Sequence, residues 1–277
     1  MDISNQILRR QYVAHKGEDL LSQVFRVVIV VSPNSFITAG YHPSGEVLAI
    51  NSSQLSGAAW NPAFIEHELK NDLLLADPSL IKTIFVAAQN NMVIPGALFR
   101  DDDTAKHWLQ ASFHVGADEQ INVCSIAKGA WFNCFSFPEV ILSVFGKYTQ
   151  DPKVLPLNLA HLRNGQSTEN LLQCTVADTC AFATLHHKHT LHWHQTFEYQ
   201  TPEDIAHRLG SACRFYGIEL EDYPVAISAT SIDQHPVLKK LQQYFPATAM
   251  RKASISDIIS PEWSSTVHLF QQLYSCE

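Results

Sequence analysis

The chain carries an internal duplication, which constrains its fold more than any other feature of the sequence. Residues 28–38 resemble residues 174–184, and Phe182 follows Phe36 by 146 residues. Both segments have the pattern of a buried strand, a tight polar turn and a second strand. A duplication of this kind predicts two similar halves, and the cleft between two halves is a common place for a ligand to bind.

The duplication extends beyond these hairpins. In each half a third strand is followed by a helix that begins at an Asn-Pro or Thr-Pro pair, and Pro202 follows Pro62 by 140 residues. Asn and Thr are good N-cap residues, and proline is favoured in the first helical turn. The pattern predicts the order β-β-β-α-β-α-β-α in both halves, with the last strand of the second half at residues 247–251.

We predict that the first half covers residues 1–166 and the second half residues 167–277. The first half holds an additional segment at about residues 90–137, in which we predict a helix and a β-hairpin. The apolar side chains of this insertion form either a core of its own or a surface that binds a partner. They are Ile121, Val123, Trp131, Phe132, Phe135 and Phe137.

Two copies of this order resemble the actin-like ATPase fold, a duplicated α/β fold with mixed sheets that is related to ribonuclease H. The chain resembles more closely an uncharacterised bacterial family with an actin-like fold, in residues 28–38, 93–99 and 157–161. More distantly, it resembles the cytoplasmic platform proteins of pilus and type II secretion machines. The first resemblance implies a fold without a particular activity, and the second implies that the fold binds protein partners.

The resemblance to actin-like ATPases also identifies candidate site residues. In active members the first strand of each half ends in an aspartate, and the amides of a glycine-containing turn then hold the phosphates of ATP while acids hold Mg²⁺. Here Ser32 replaces the first aspartate and Pro33 removes one amide, whereas the second half keeps Asp178 without a following glycine. The leading expectation is that the protein binds no cofactor. The alternative is ATP with Mg²⁺, for which the candidate site residues are Ser32, Asn34, Asp178 and Thr179. Asp178 either contacts such a ligand or caps its own turn.

These degenerate loops favour a protein without catalytic residues, which uses the fold as a binding or scaffold module. The alternative is a nucleotide-binding ATPase or kinase with atypical phosphate loops. A second alternative is a metal-binding protein that uses the histidines between His186 and His194, because His192 and His194 are predicted to share one face of a strand. The same histidines are also consistent with the polar face of an exposed hairpin tip, and the leading hypothesis includes no metal.

The composition excludes some classes of function. A net charge of −8 argues against binding nucleic acid through its phosphates, which requires a basic face. No apolar run approaches the length of a membrane span, and residues 1–10 lack the pattern of a signal peptide. The six cysteines form no CxxC pair, which favours free buried thiols. We therefore expect a cytoplasmic protein that binds another protein and does not insert into a membrane.

Overall fold

The computed structural model describes residues 6–14, 20–55, 57, 60–149, 153–164, 170–219, 223–245 and 260–276. The strands are β1 (Ile7–Val13), β2 (Arg26–Val31), β3 (Ser35–Tyr41), β4 (Val47–Leu55), β5 (Ile81–Val86), β6 (Asn91–Pro95), β7 (Glu119–Ile126), β8 (Trp131–Pro138), β9 (Lys153–Pro156), β10 (Asn170–Val176), β11 (Cys180–His187), β12 (Thr190–Glu198) and β13 (Val225–Ala229). The helices are α1 (Leu20–Gln23), α2 (Pro62–Asn71), α3 (Asp102–Ser112), α4 (Glu139–Phe145), α5 (Leu159–Asn164), α6 (Pro202–Phe215), α7 (His235–Leu241) and α8 (Pro261–Tyr274). The strand predicted at residues 247–251 lies outside the described residues.

The first half is built on a six-stranded sheet in the order β1-β4-β3-β2-β5-β9. Strands β2, β3 and β4 form an antiparallel meander, whereas β5 is parallel to both β2 and β9. β2 has the sequence RVVIVV and is buried over nearly its whole length, as expected for a central strand covered on both faces. α2 begins where the sequence predicts, because the side chain of Asn61 accepts hydrogen bonds from the amides of Ala63 and Phe64.

The second half repeats this plan on a four-stranded sheet in the order β12-β11-β10-β13. Strands β10, β11 and β12 form an antiparallel meander, and β13 lies parallel to β10. α6 begins at a capping box, in which Thr201 and Asp204 bond each other's backbone amides. The described elements of both halves therefore follow the predicted order.

A three-stranded sheet in the order β6-β8-β7 and the helix α3 form the insertion between β5 and α4. Ile121, Val123 and Phe132 pack in a small core within the insertion, whereas Phe135 and Phe137 belong to a core of the first half. Most of the apolar side chains that were candidates for partner binding are thus used inside the fold. Trp131 is half-buried at the edge of a third core, which the two halves share.

The two halves share this core through the last helix of the chain. α8 packs against α5 and against β4 of the first sheet. The hydroxyl of Tyr41, on β3, donates a hydrogen bond of 2.8 Å to the carbonyl oxygen of Phe270, on α8. Phe182, on β11, belongs to the same core. None of the helices in the described ranges is long and apolar enough to span a membrane.

Candidate functional site

The turns that follow β2 and β10 meet between the two halves. Asp178 comes shortly after β10, and its Oδ2 accepts a hydrogen bond of 2.8 Å from the backbone amide of Asn34. The hydroxyl of Ser35 donates to the same oxygen over 3.3 Å. Beside this contact, Gln89 Nε2 donates to Thr179 Oγ1 over 3.2 Å. The candidates Asn34, Asp178 and Thr179 therefore lie together, and the carboxylate of Asp178 bonds the opposite half.

The first-half turn uses its own backbone donors within the protein. The amide of Ser32 donates to the carbonyl of Ser35 over 3.0 Å, Pro33 has no amide hydrogen, and the amide of Asn34 donates to Asp178. In the implied ATPases, the amides of this turn hold phosphate oxygens. A carboxylate oxygen is an anionic acceptor of the same kind, so Asp178 presents to the Asn34 amide what a phosphate would present.

The carboxylate of Asp178 is desolvated in this contact. Burial raises the pKa of Asp178, while the Asn34 amide and the hydroxyls of Ser32 and Ser35 oppose that increase. Burial also raises the pKa of Tyr199, whose hydroxyl donates to the carbonyl oxygen of Ala177 over 2.7 Å. The contact between the two turns is therefore a buried one, which hydrogen bonds to the carboxylate stabilise.

An open cavity of about 1030 Å³ lies beside this contact. The carboxylates of Asp178, Glu198 and Asp204 line it, together with the guanidinium of Arg208 and the side-chain amide of Gln89. Several of these side chains lie on the polar face of α6. Sequence reasoning did not identify them, since a polar helical face is typical of a surface exposed to solvent.

A second polar cluster is buried where α5 meets the sheet of the second half. The hydroxyl of Thr184 lies 3.3 Å from Nδ1 of His161 and 3.2 Å from Nδ1 of His194. Nε2 of His194 lies 2.9 Å from both Asn91 Oδ1 and Asn158 Nδ2. The cluster therefore joins α5 and β6 of the first half to β11 and β12 of the second half.

Burial keeps the histidines of this region neutral. Desolvation lowers the pKa of His161 to about 3, and it lowers the pKa of His194 to about 4. Desolvation also lowers the pKa of His186, whose side chain is 1% exposed, to about 4. The neutral imidazoles of His161 and His194 bond neutral hydroxyl and amide groups and form a structural network between the halves.

The prediction that His192 and His194 share one strand face is wrong. The pairing of β11 with β12 shifts between Leu185 and His186, which leaves His192 as an additional residue in β12. The ring of His192 lies edge-on to Tyr216, which directly follows α6, with centroids 5.7 Å apart, whereas His194 lies in the buried polar cluster. In the part of the chain that the structure describes, no group of three or more His, Cys, Asp or Glu side chains is arranged to hold a metal ion.

Solved structures with a similar fold include the following two proteins. A Bacteroides thetaiotaomicron protein with an actin-like ATPase fold and unknown function matches with a TM-score of 0.71 and 13% identity, over 94% of this chain and 100% of that chain. A chain of the PilM–PilN type IV pilus biogenesis complex matches with a TM-score of 0.56 and 10% identity, over 92% of this chain and 99% of that chain. At such identities the likeness shows the fold alone, and it confirms the predicted actin-like ATPase fold.

A comparison with curated proteins finds no match. A family profile described as a protein of unknown function, DUF3822, matches residues 26–248. This range contains the two turns that meet at Asp178, the insertion and α6. The prediction of an uncharacterised family with an actin-like fold is thereby confirmed, and the chain belongs to the DUF3822 family.

Proposed function

We propose that the protein is a binding or scaffold module that uses the actin-like fold without transferring phosphate. The observation that carries this proposal is the 2.8 Å hydrogen bond from the Asn34 amide to Asp178 Oδ2. The carboxylate takes the donor that a phosphate would need. Ser32 and Pro33 offer no replacement, because the first amide is bonded to Ser35 and the second residue has no amide hydrogen.

The charge around the contact supports the same proposal. The neighbouring cavity is lined by the carboxylates of Asp178, Glu198 and Asp204, with Arg208 as a cation. A nucleotide would bring several further negative charges next to the desolvated Asp178. Two like charges 4 Å apart repel each other by about 4 kcal/mol at the effective dielectric constant of a protein surface. Bound phosphate is therefore disfavoured beside an ionised Asp178 unless a bridging cation such as Mg²⁺ offsets the two negative charges.

A protein partner is the ligand that we propose for the fold. A chain of the PilM–PilN complex resembles this chain with a TM-score of 0.56. In that complex, the same architecture is found together with a protein partner. The described surfaces of the present chain include half-buried apolar side chains such as Trp131. A fold whose halves are joined by a shared core and by hydrogen bonds of their own suits such a binding role.

The alternative proposal is a nucleotide-binding ATPase or kinase with atypical loops. The cavity of about 1030 Å³ beside Asp178 and Thr179 favours it, because a pocket of that volume has room for a nucleotide. Binding would then require the two turns to separate, which would release the Asn34 amide.

Calorimetric titration with Mg²⁺ and ATP distinguishes the two proposals. For the wild type we expect no saturable heat at millimolar nucleotide. The matched control is Asp103→Ala, which removes a carboxylate that is 85% exposed on α3. Saturable binding to the wild type and to Asp103→Ala, lost in Asp178→Ala, would contradict the scaffold proposal and support the ATPase.

A further inference from the structure

We propose that a second cavity receives one large apolar side chain from an acidic segment of a protein partner. The cavity has a volume of about 370 Å³ and lies between the turn that joins β7 to β8 and the turn that joins β11 to β12. This inference rests on the proposed binding function, and it names where and what the protein binds. Apolar side chains from both halves line the cavity: Ile126, Ala127, Ala130, Trp131, Leu162 and Leu191.

The cavity has a fixed base and a partly open wall. Ile126 and Leu162 are only 1% and 2% exposed, so they belong to the packed interior. Trp131 and Leu191 are half-buried and pack against the core shared by the two halves. The polar residues His189 and Thr190 complete the lining. The volume lies in the lower range of ligand pockets, and one deeply inserted apolar or aromatic side chain is a common anchor of a protein interface.

Two lysines, each adjacent in sequence to a residue that lines the cavity, give its rim a positive charge, although the protein as a whole is acidic. Lys128 and Lys188 are exposed and lie at the tips of the two bordering turns. Within the described ranges, neither lysine forms an ion pair, and no acidic side chain lines the cavity. The net charge of the chain is −8, so this rim differs in sign from the average surface. Charge complementarity therefore selects an acidic segment.

Both bordering turns are held in conformations that most residues avoid. Lys188 and His189 have φ values of 50° and 62°, and Ala127 and Lys128 have φ values of 52° and 56°. A residue other than glycine costs about 1 kcal/mol or more in this left-handed region. The turns therefore define the backbone positions from which the two lysine side chains project towards a partner.

Gly96 fixes the position of the turn between β7 and β8. Its amide donates a hydrogen bond of 2.7 Å to the carbonyl oxygen of Ala130. A Cβ atom at residue 96 would lie 2.1 Å from the carbonyl oxygen of Gly129, so only glycine fits here. Residues 93–99 carry part of the resemblance to the actin-like family, and this contact gives that segment a role in shaping the cavity.

Selection from a display library of random dodecapeptides on the whole folded protein tests the proposal. We expect the recovered peptides to carry a large apolar residue flanked by Asp or Glu. Two variants block the cavity in different ways: Leu191→Glu places a charge in its wall, and Ala130→Trp fills its mouth from an exposed position. Each variant should reduce the affinity for the recovered peptides by about tenfold or more, as loss of an anchor contact does.

Charge reversal and a control variant complete the test. The double variant Lys128→Glu with Lys188→Glu should also weaken binding, and the loss should shrink as salt is added. Phe215→Glu removes an aromatic side chain that is 82% exposed and does not line the cavity, so it should leave binding unchanged. Thermal unfolding shows which variants keep the fold.

Three outcomes would overturn the proposal: a selection that yields no binding peptide, one that yields basic peptides, and peptides that bind the folded blocking variants as tightly as the wild type. The calorimetric titration with Mg²⁺ and ATP reports separately on the binding-module proposal. Nucleotide binding by the wild type would contradict the binding-module proposal, whereas a failed peptide selection alone would contradict only the proposed partner site.

Discussion

Asp178, the candidate aspartate that follows β10, bonds the Asn34 amide of the opposite half through its Oδ2. Hydrogen bonds to Oδ2 replace only part of the hydration that the carboxylate loses on burial. If the side chain were removed, the Asn34 amide would lose its acceptor inside the contact. Leaving a buried donor unpaired usually costs more than the net contribution of the bond itself.

We predict that Asp178→Ala destabilises the folded protein by about 1–3 kcal/mol, because the Asn34 amide and the Ser35 hydroxyl lose their acceptor. Equilibrium unfolding in urea measures the change. Asp103→Ala is the matched control, since Asp103 is 85% exposed and its ion pair with Lys106 spans 3.6 Å. Equal stabilities of the wild type and Asp178→Ala would show that the contact does not hold the halves together.

The buried histidines make stability depend on pH. The pKa values of His161, His186 and His194 are about 3, 4 and 4, below the usual 6.5. Between about pH 6.5 and pH 4 the unfolded chain therefore binds more protons than the folded protein. The contribution of these histidines to the free energy of unfolding reaches its maximum above about pH 6.5. It falls with decreasing pH, by up to about 1.4 kcal/mol per pH unit for each histidine.

Urea unfolding between about pH 7 and pH 5 checks this prediction. His161→Gln keeps a hydrogen-bonding side chain without a titrating group. The number of protons taken up on unfolding should therefore fall by about one. His114→Gln changes an exposed histidine and should leave the dependence as it is in the wild type. The same slope in His161→Gln and in the wild type would contradict the assignment.

The positions of the site residues were predictable, but their partners were not. The repeat placed Asn34 and Asp178 in corresponding turns, and the structure brings those turns together. The bond between them depends on how closely the two halves approach, which no local pattern encodes. The cluster around His161 has the same origin, because its partners on β11 and β12 are distant in sequence.

At the scale of elements, the sequence predicted structure correctly where the stabilising contacts join residues close together along the chain. The start of α6 was predictable because Thr201 and Asp204 cap the helix three residues apart. Which side chains share a face of β12 was not predictable, because the additional residue at His192 reverses the alternation that the sequence pattern assumes. A bulge depends on pairing with the neighbouring strand, and the alternation of side chains in one strand does not reveal it.

We predict that an Asn-Gly pair at residues 188 and 189 stabilises the hairpin of β11 and β12. Lys188 and His189 both have positive φ, and Asn-Gly is the preferred pair for such a two-residue turn. The double variant Lys188→Asn with His189→Gly should raise the free energy of unfolding by roughly 1 kcal/mol. Lys188→Ala keeps a side chain unsuited to positive φ and should give no such gain. A double variant no more stable than Lys188→Ala would argue against strain in this turn.

At the scale of the whole molecule, contacts of several kinds join the halves. Among the described residues, they share a core that includes Phe182 and Phe270, they meet in the polar cluster around His161, and their turns bond through Asp178. The contact at Asp178 involves candidate residues of a phosphate site. The scaffold proposal therefore requires the Asn34 amide to be bonded within the protein when no nucleotide is added.

Hydrogen exchange of the Asn34 amide, followed by NMR, tests this requirement most directly. We expect slow exchange in the wild type, no change on addition of millimolar Mg²⁺ and ATP, and faster exchange in Asp178→Ala, because the amide then lacks its acceptor. An Asn34 amide that exchanges freely in the wild type and becomes protected only when the nucleotide is added would contradict the scaffold proposal.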